Sequence, residues 1–320
     1  MENSMLMWGI FISIVLTLLA LDLGIFHKKN QEISFKQSLW MSSFYILISL
    51  IFGLWLWYTK GLDSFAEYLT GFLVEKSLAL DNIFIISIIF SSLSIPLKYQ
   101  HRVLFWGIFS VIILRAIMIG LGVQIMTRFE WILYIFAAFM IFTGIKMFFI
   151  SHKPVDISEN MLLIWMRKHL NITETLHDQK FWVYQIAPDS QTKKIFVTPL
   201  FISLLMIEFI DLVFAVDSIP AIFAITQDPY IVYTSNIFAI LGLRALYFAL
   251  ASIIHRFYYL KYALAAVLIF IGLKIFIADA LNLTKIPPML SLTITFIILI
   301  SGIIFSFIKG ANSKKQKQNQ

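Results

Sequence analysis

The chain has no cysteine, and Lys, Arg, Asp and Glu together make up only 13% of its 320 residues. Without cysteine there is neither a disulfide nor a thiolate to hold a soft metal. Soluble domains run near 25% charged, so a soluble globular fold is excluded. The six histidines (His27, His101, His152, His169, His177 and His255) fall in loops or at helix ends. The apolar interior therefore has no imidazole either. A Gly-rich loop ending in Gly-Lys-Ser/Thr is missing, as is a soluble domain with a phosphorylatable Asp, which argues against an ATP-driven machine. What is present is apolar: 60% of residues are hydrophobic and 16% aromatic. The composition is that of an all-α polytopic membrane protein whose main surroundings are the lipid bilayer. The net charge of +7 does not point to nucleic acid, because the Lys and Arg residues lie mostly in short loops, where they set topology.

Nine apolar runs reach the roughly 20 residues that a spanning helix needs: 6–26, 39–58, 65–93, 103–126, 129–150, 198–226, 231–254, 257–279 and 286–307. The first follows Met1-Glu2-Asn3-Ser4, without a basic leader or a small-residue cleavage site, and reads as a retained helix. Loops on the amino-terminal side carry three basic residues (Lys60, Arg128 and Lys285), and those on the other side carry seventeen. That bias places the amino terminus outside and the carboxy terminus in the cytoplasm. The segment 151–197 is the one sizeable polar piece, with a short amphipathic helix over 160–170 and a hairpin of 181–186 against 194–198.

The remaining five basic residues, Lys76, Arg115, Lys146, Arg244 and Lys274, lie inside spans, and their arrangement repeats. Residues 129–148 align without gaps on 257–276 with nine identities in twenty, matching Gly144 and Lys146 with Gly272 and Lys274. Each half reads as a carboxylate helix, an Arg helix and a Lys helix. Three spans per unit insert the second copy upside down, the inverted-topology repeat of many secondary transporters. The expected organisation is two N-terminal helices (1–64), a first three-helix unit (65–150), a cytoplasmic loop (151–197), the inverted unit (198–279), a last helix (280–310) and a disordered cytoplasmic tail (311–320).

The two carboxylate helices carry Glu75-Lys76-Ser77-Leu78-Ala79-Leu80-Asp81-Asn82 and the stretch from Glu208 to Pro220, with Asp211, Asp217 and Ser218. A charge at the bilayer centre costs roughly 2.5–3.5 kcal/mol on insertion scales, so five unpaired acids would cost roughly 12–18 kcal/mol. One reading is architectural, with acids and bases neutralised as buried pairs. Such pairs rarely outdo apolar packing. The other reading is a cation site. Glu75, Asp81, Asn82, Glu208, Asp211, Asp217 and Ser218 offer a hard, oxygen-rich shell that suits Mg²⁺, Ca²⁺ or Mn²⁺. Lys76, Arg115, Lys146, Arg244 and Lys274 would pair with the acids when no cation is bound. Asp22 is either an access or gating residue or an interfacial one. Asp211 and Asp217, six residues apart, do not share a face on a straight helix. With Pro220 close by, the expectation is a helix interrupted there. Export against the membrane potential without ATP calls for a coupled ion, and proton antiport through the same carboxylates is the economical choice.

At these residues the chain resembles the TerC family of integral membrane proteins, and within it the Alx branch of bacterial manganese exporters. The signature Glu-Lys-Ser-Leu-Ala-x-Asp-Asn matches Glu75 to Asn82, and Glu-x-x-Asp-x-x-Phe-Ala-x-Asp-Ser-Ile-Pro-Ala matches Glu208 to Ala221. Supporting stretches run from Thr234 to Tyr247 and from Trp131 to Met147. The resemblance implies export of Mn²⁺ with the acids of both motifs as the metal path, no enzymatic activity and no resident cofactor. Against it stand three rivals. One is another divalent cargo, Ca²⁺ or Mg²⁺, on the same site. Another is an intramembrane enzyme with paired catalytic Asp. The last is a membrane-insertion partner working through 151–197.

Overall fold

The computed structural model describes residues 2–26, 35–129, 131–149, 161–173, 175–186, 193–250, 260–281, 283 and 286–318, with the side chains of 2–4, 22–26, 81, 186, 216, 217, 307 and 309–318 left aside. The elements run in the order α1 (Glu2–Phe26), α2 (Phe35–Lys60), α3 (Leu62–Ser92), α4 (Leu97–Arg128), α5 (Ile132–Phe149), α6 (Met161–His169), β1 (Trp182–Ile186), β2 (Lys193–Val197), α7 (Pro199–Ile225), α8 (Pro229–Ile240), α9 (Leu243–Leu250), α10 (Leu260–Ala280) and α11 (Pro288–Gln318). Among the described residues, seven helical stretches are long and apolar enough to cross a membrane: α2, α4, α5, α7, α8 with α9, α10 and most of α11. A shorter apolar stretch, Met5–Leu21, lies in α1. Helix α3 has 31 residues, about 46 Å at 1.5 Å per residue, and differs from these in carrying Glu67, Glu75, Lys76 and Asp81.

The bundle is turned inside out relative to a soluble one. Trp40 is 71% exposed and Phe305 61%, whereas Ser38 is fully buried. On α2 the buried face is Ser38, Met41, Ser42, Tyr45, Ser49, Phe52, Gly53 and Leu56, at helical spacing. Small residues on that face allow close approach between helices in lipid, and the Tyr68 hydroxyl of α3 donates to the Ser49 carbonyl at 3.0 Å. Helix α3 is central, packing on α2, α7, α8, α10 and α11. The hairpin forms as expected, antiparallel with Tyr184 opposite Ile195, and α6 covers most of 160–170. Helix α11 continues to Gln318, over residues expected to be a disordered tail. After Gly310 that stretch has no proline or glycine to stop it.

One helix break lies among the spans packed around α3. Helix α7 runs unbroken through Pro220, contrary to the interruption expected there. The break falls instead between α8 and α9, at Leu241 and Gly242. Gly242 has φ of +80°, and a Cβ on it would lie 2.8 Å from Tyr45 Cβ. Only glycine satisfies both conditions. Helix α8 itself starts at a firm cap. Asp228 accepts from the Tyr230 backbone N–H at 2.9 Å and pairs with Lys60, and Pro229 occupies the first helical position.

Helices α5 and α10 pack along a seam that reads the same from either side. A Cβ on Gly144 would lie 2.7 Å from the Ala265 carbonyl oxygen and 2.6 Å from Ile269 Cγ1. A Cβ on Gly272 would lie 2.6 Å from the Ala137 carbonyl oxygen and 2.8 Å from Ile141 Cγ1. In the alignment of the two segments, Gly144, Ala137 and Ile141 are the counterparts of Gly272, Ala265 and Ile269. Each partner thus meets the other's equivalent residues, as across a two-fold axis. Gly144→Ala and Gly272→Ala should each destabilise the purified protein by about 1–3 kcal/mol, the usual cost of overpacking. A lower thermal unfolding midpoint in detergent checks this.

Candidate cation site

Arg115, in the middle of α4, is 1% exposed. Its Nη1 group donates to Glu75 Oε1 of α3 at 2.5 Å, to Ser218 Oγ of α7 at 2.9 Å and to Asn236 Oδ1 of α8 at 3.0 Å. Its Nη2 lies 3.5 Å from Asp211 Oδ1 of α7. The acceptors are themselves cross-linked. Asn82 Nδ2 donates to Asp211 Oδ1 at 3.3 Å, and Asn236 Nδ2 donates to Glu75 Oε2 at 3.2 Å. Both carboxylates are buried, Glu75 at 3% exposure and Asp211 at 7%.

A seven-residue spacing explains how unbroken helices do this. Glu75 and Asn82 are seven apart, as are Asp211 and Ser218. Two turns of helix return to the same face. The pairs drawn into the network around Arg115 are thus acid and amide, with Asn82 entering through Asp211, or acid and hydroxyl, rather than the acids six apart. Asp81 and Asp217 each sit one residue from a member of the cluster, and Asp22 lies in α1. The side chains of all three fall outside the described residues. Among the described residues no group of three or more His, Asp or Glu side chains gathers around one point.

Two carboxylate oxygens of this region are buried without a hydrogen-bond partner: Asp211 Oδ2 and Glu208 Oε1. Glu208 lies three residues before Asp211, on the same face of α7. A Cβ on Gly107 would lie 3.5 Å from Glu208 Oε1, so the α4 backbone passes close by. Beside Asp211 is a small cavity of about 30 Å³, lined by Asn82, Asp211, Arg244 and Tyr247 among apolar neighbours. That is room for roughly two waters at 10–15 Å³ of probe volume each.

The lysines behave differently from one another. Lys76 does not meet the acids: its ammonium donates to the Ala239 carbonyl at 3.0 Å and the Leu241 carbonyl at 3.3 Å. It caps the negative end of α8 where the chain breaks. Lys274 is buried and donates to Ser291 Oγ at 3.3 Å, while its repeat partner Lys146 is exposed. Arg244 lies over the Phe105 ring at 6.0 Å and lines the small cavity. Asn236 was not among the residues singled out from the sequence as site members. The polar triplet Thr234-Ser235-Asn236 inside an apolar span is the signal that marks it, because all three are fully buried.

A model of the family described as integral membrane protein TerC matches residues 60–316. The chain belongs to the TerC family. A membrane protein of Rickettsia bellii, itself uncharacterised, is 56% identical over 94% of this chain and 97% of its own length. One from Myxococcus xanthus is 44% identical over 96% of this chain and 93% of its own. The Escherichia coli K12 relative, provisionally named a membrane-bound redox modulator, Alx, is 41% identical over 98% of this TerC protein and 97% of its own chain. No solved structure matches.

In this TerC protein Arg115 neutralises buried charge from two helices at once. Arg115→Met should cost about 3–5 kcal/mol, since it strands Glu75 and Asp211. The double variant Arg115→Met with Glu75→Gln should be less destabilised than the sum of its single changes. Thermal unfolding of the four proteins in detergent reads the coupling.

Proposed function

We propose that this TerC protein is a secondary transporter that exports Mn²⁺ from the bacterial cytoplasm, with the Glu75–Asp211 region as the metal site. The observation that carries the reading is the pair of buried, unpartnered carboxylate oxygens, Asp211 Oδ2 and Glu208 Oε1. A buried acceptor without a partner is costly, and a cation supplies what is missing. The charge balance points the same way. Glu75, Asp211 and Glu208 face Arg115 and Arg244, and Asp81 and Asp217 add two more acids on the same stretches of helix. Lys76 does not redress the balance, because it is spent on carbonyls. Oxygen ligands from Asp, Glu, Asn82 and Ser218 suit Mn²⁺, and equally Ca²⁺ or Mg²⁺. The family resemblance weighs for Mn²⁺.

Transport rather than catalysis is favoured by the architecture. Nine spans follow when α1 and α3 are counted with the seven apolar stretches, and the reciprocal Gly144–Gly272 seam supports an inverted three-helix repeat. The span broken at Gly242 beside the site is a recurrent feature of transporters built this way. The loop charges support an outside amino terminus and a cytoplasmic carboxy terminus. Protons are the proposed counter-ion, exchanging on the carboxylates that release the metal. A redox role, suggested by the name of the Escherichia coli relative, would not run through thiols here, since the chain has no Cys.

In a strain lacking its own Mn²⁺ exporters, the wild-type protein should lower cellular Mn several-fold and restore growth in excess Mn²⁺. Asp211→Asn and Glu208→Gln, made in equal amount in the membrane, should not. Unchanged Mn with lowered Ca or Mg would replace the cargo, and full rescue by both variants would overturn the site.

A further inference from the structure

A second cavity, far larger than the one beside Asp211, lies at the turn between α7 and α8, next to the Lys60–Asp228 pair. It measures about 390 Å³ and is bounded by Glu67 and Thr70 of α3, Thr226 after α7, Lys274 and Asp279 of α10, and Ser291 of α11. Its charged groups are set in place. Glu67 is 9% exposed and its Oε2 accepts from the Thr226 hydroxyl at 2.6 Å. Lys274, equally buried, donates to Ser291. Asp279, at the rim, is hydrogen-bonded to Tyr134.

We infer that this cavity is a second cation site, a vestibule that holds a divalent ion with its water shell on the side opposite the cytoplasm. The inference rests on the transport reading above for its orientation and cargo. Size is the first argument. The cavity beside Asp211, about 30 Å³, admits an ion only after its waters are stripped. Six waters at about 10–15 Å³ of probe volume each need roughly 60–90 Å³, which the larger cavity accommodates. Its polar wall of carboxylates, hydroxyls and Gln227 binds such an ion through its waters, as hard cations that dehydrate reluctantly are often held. Position is the second argument. Glu67 lies eight residues before Glu75 on the continuous helix α3, about 12 Å along its axis. An ion leaving the stripped site in that direction regains its shell here.

The third argument is asymmetry. The alignment that pairs Glu75 with Asp211 sets Glu67 against Ser203, and the one that pairs Lys146 with Lys274 sets Asp279 against Ser151. Neither acid of the vestibule has an acidic counterpart in the other copy. A symmetric site would serve both directions of passage alike, whereas this one serves a single face. Lys274, the one basic group in its wall among the described residues, weakens the site and favours release.

The test is a titration of the purified full-length protein in nanodiscs with Mn²⁺, following free aqueous Mn²⁺ by electron paramagnetic resonance. Wild type should bind in two classes. Glu67→Gln with Asp279→Asn should lose the weaker class and keep the tighter. Asp279→Asn alone, which leaves the Glu67–Thr226 bond intact, should weaken that class several-fold in a protein that remains monodisperse. Lys274→Met should tighten it about ten-fold. A titration of the double variant that superimposes on wild type, or a weaker class that loosens in Lys274→Met, would overturn the vestibule. Failure of the transport reading shows separately, as an Asp211→Asn titration that keeps the tighter class.

Discussion

Everything near the middle of this bundle is placed by one guanidinium. Arg115 reaches α3, α7 and α8 from α4, and the amides of Asn236 and Asn82 brace its two carboxylates, Glu75 and Asp211. A carboxylate or guanidinium taken this far from water is tolerable only in such company. The planar fork of arginine, with donors fixed in direction, sets where Glu75, Asp211, Ser218 and Asn236 must stand. Lysine in its place would offer a point charge without that geometry. The site is therefore less a pocket lined by chance than the remainder left by a network whose other valences are filled.

Around this centre the packing solves a different problem. Lipid gives helices no hydrophobic reason to associate, so contact rests on fit. The serines and Gly53 of α2, and the crossed glycines of α5 and α10, let backbones come close. Large apolar side chains are turned outward to the bilayer. Along the α5–α10 seam one pair of contacts is made twice, by residues that the alignment of 129–148 on 257–276 equates.

Much of this was legible in the sequence, and what was not has physical causes. Span positions follow from apolar runs, and the hairpin and short helix of 161–197 from local pattern. The carboxylates stand out because charge in lipid is expensive. The helix break was misplaced because Pro220 is a strong local signal, whereas Gly242 matters only through φ and the nearness of Tyr45, which are tertiary facts. The six-residue spacing of acids drew attention from the seven-residue spacing that brings Glu75 with Asn82, and Asp211 with Ser218, to one face. Asn236 carries no charge and so raised no alarm by itself. The role of Lys76 was hidden because its partners are carbonyls, which every residue possesses.

The break at Gly242 divides one span into two short rods, and the site touches both. Asn236 is on the first rod and Arg244 on the second, while the ammonium of Lys76 grips the end of the first from a third helix. In the proposed transporter, this single glycine would be the joint at which the two rods turn separately. Asn236 would then keep its hold on Glu75 and Arg115 while Arg244, in the wall beside Asp211, moved with the second rod.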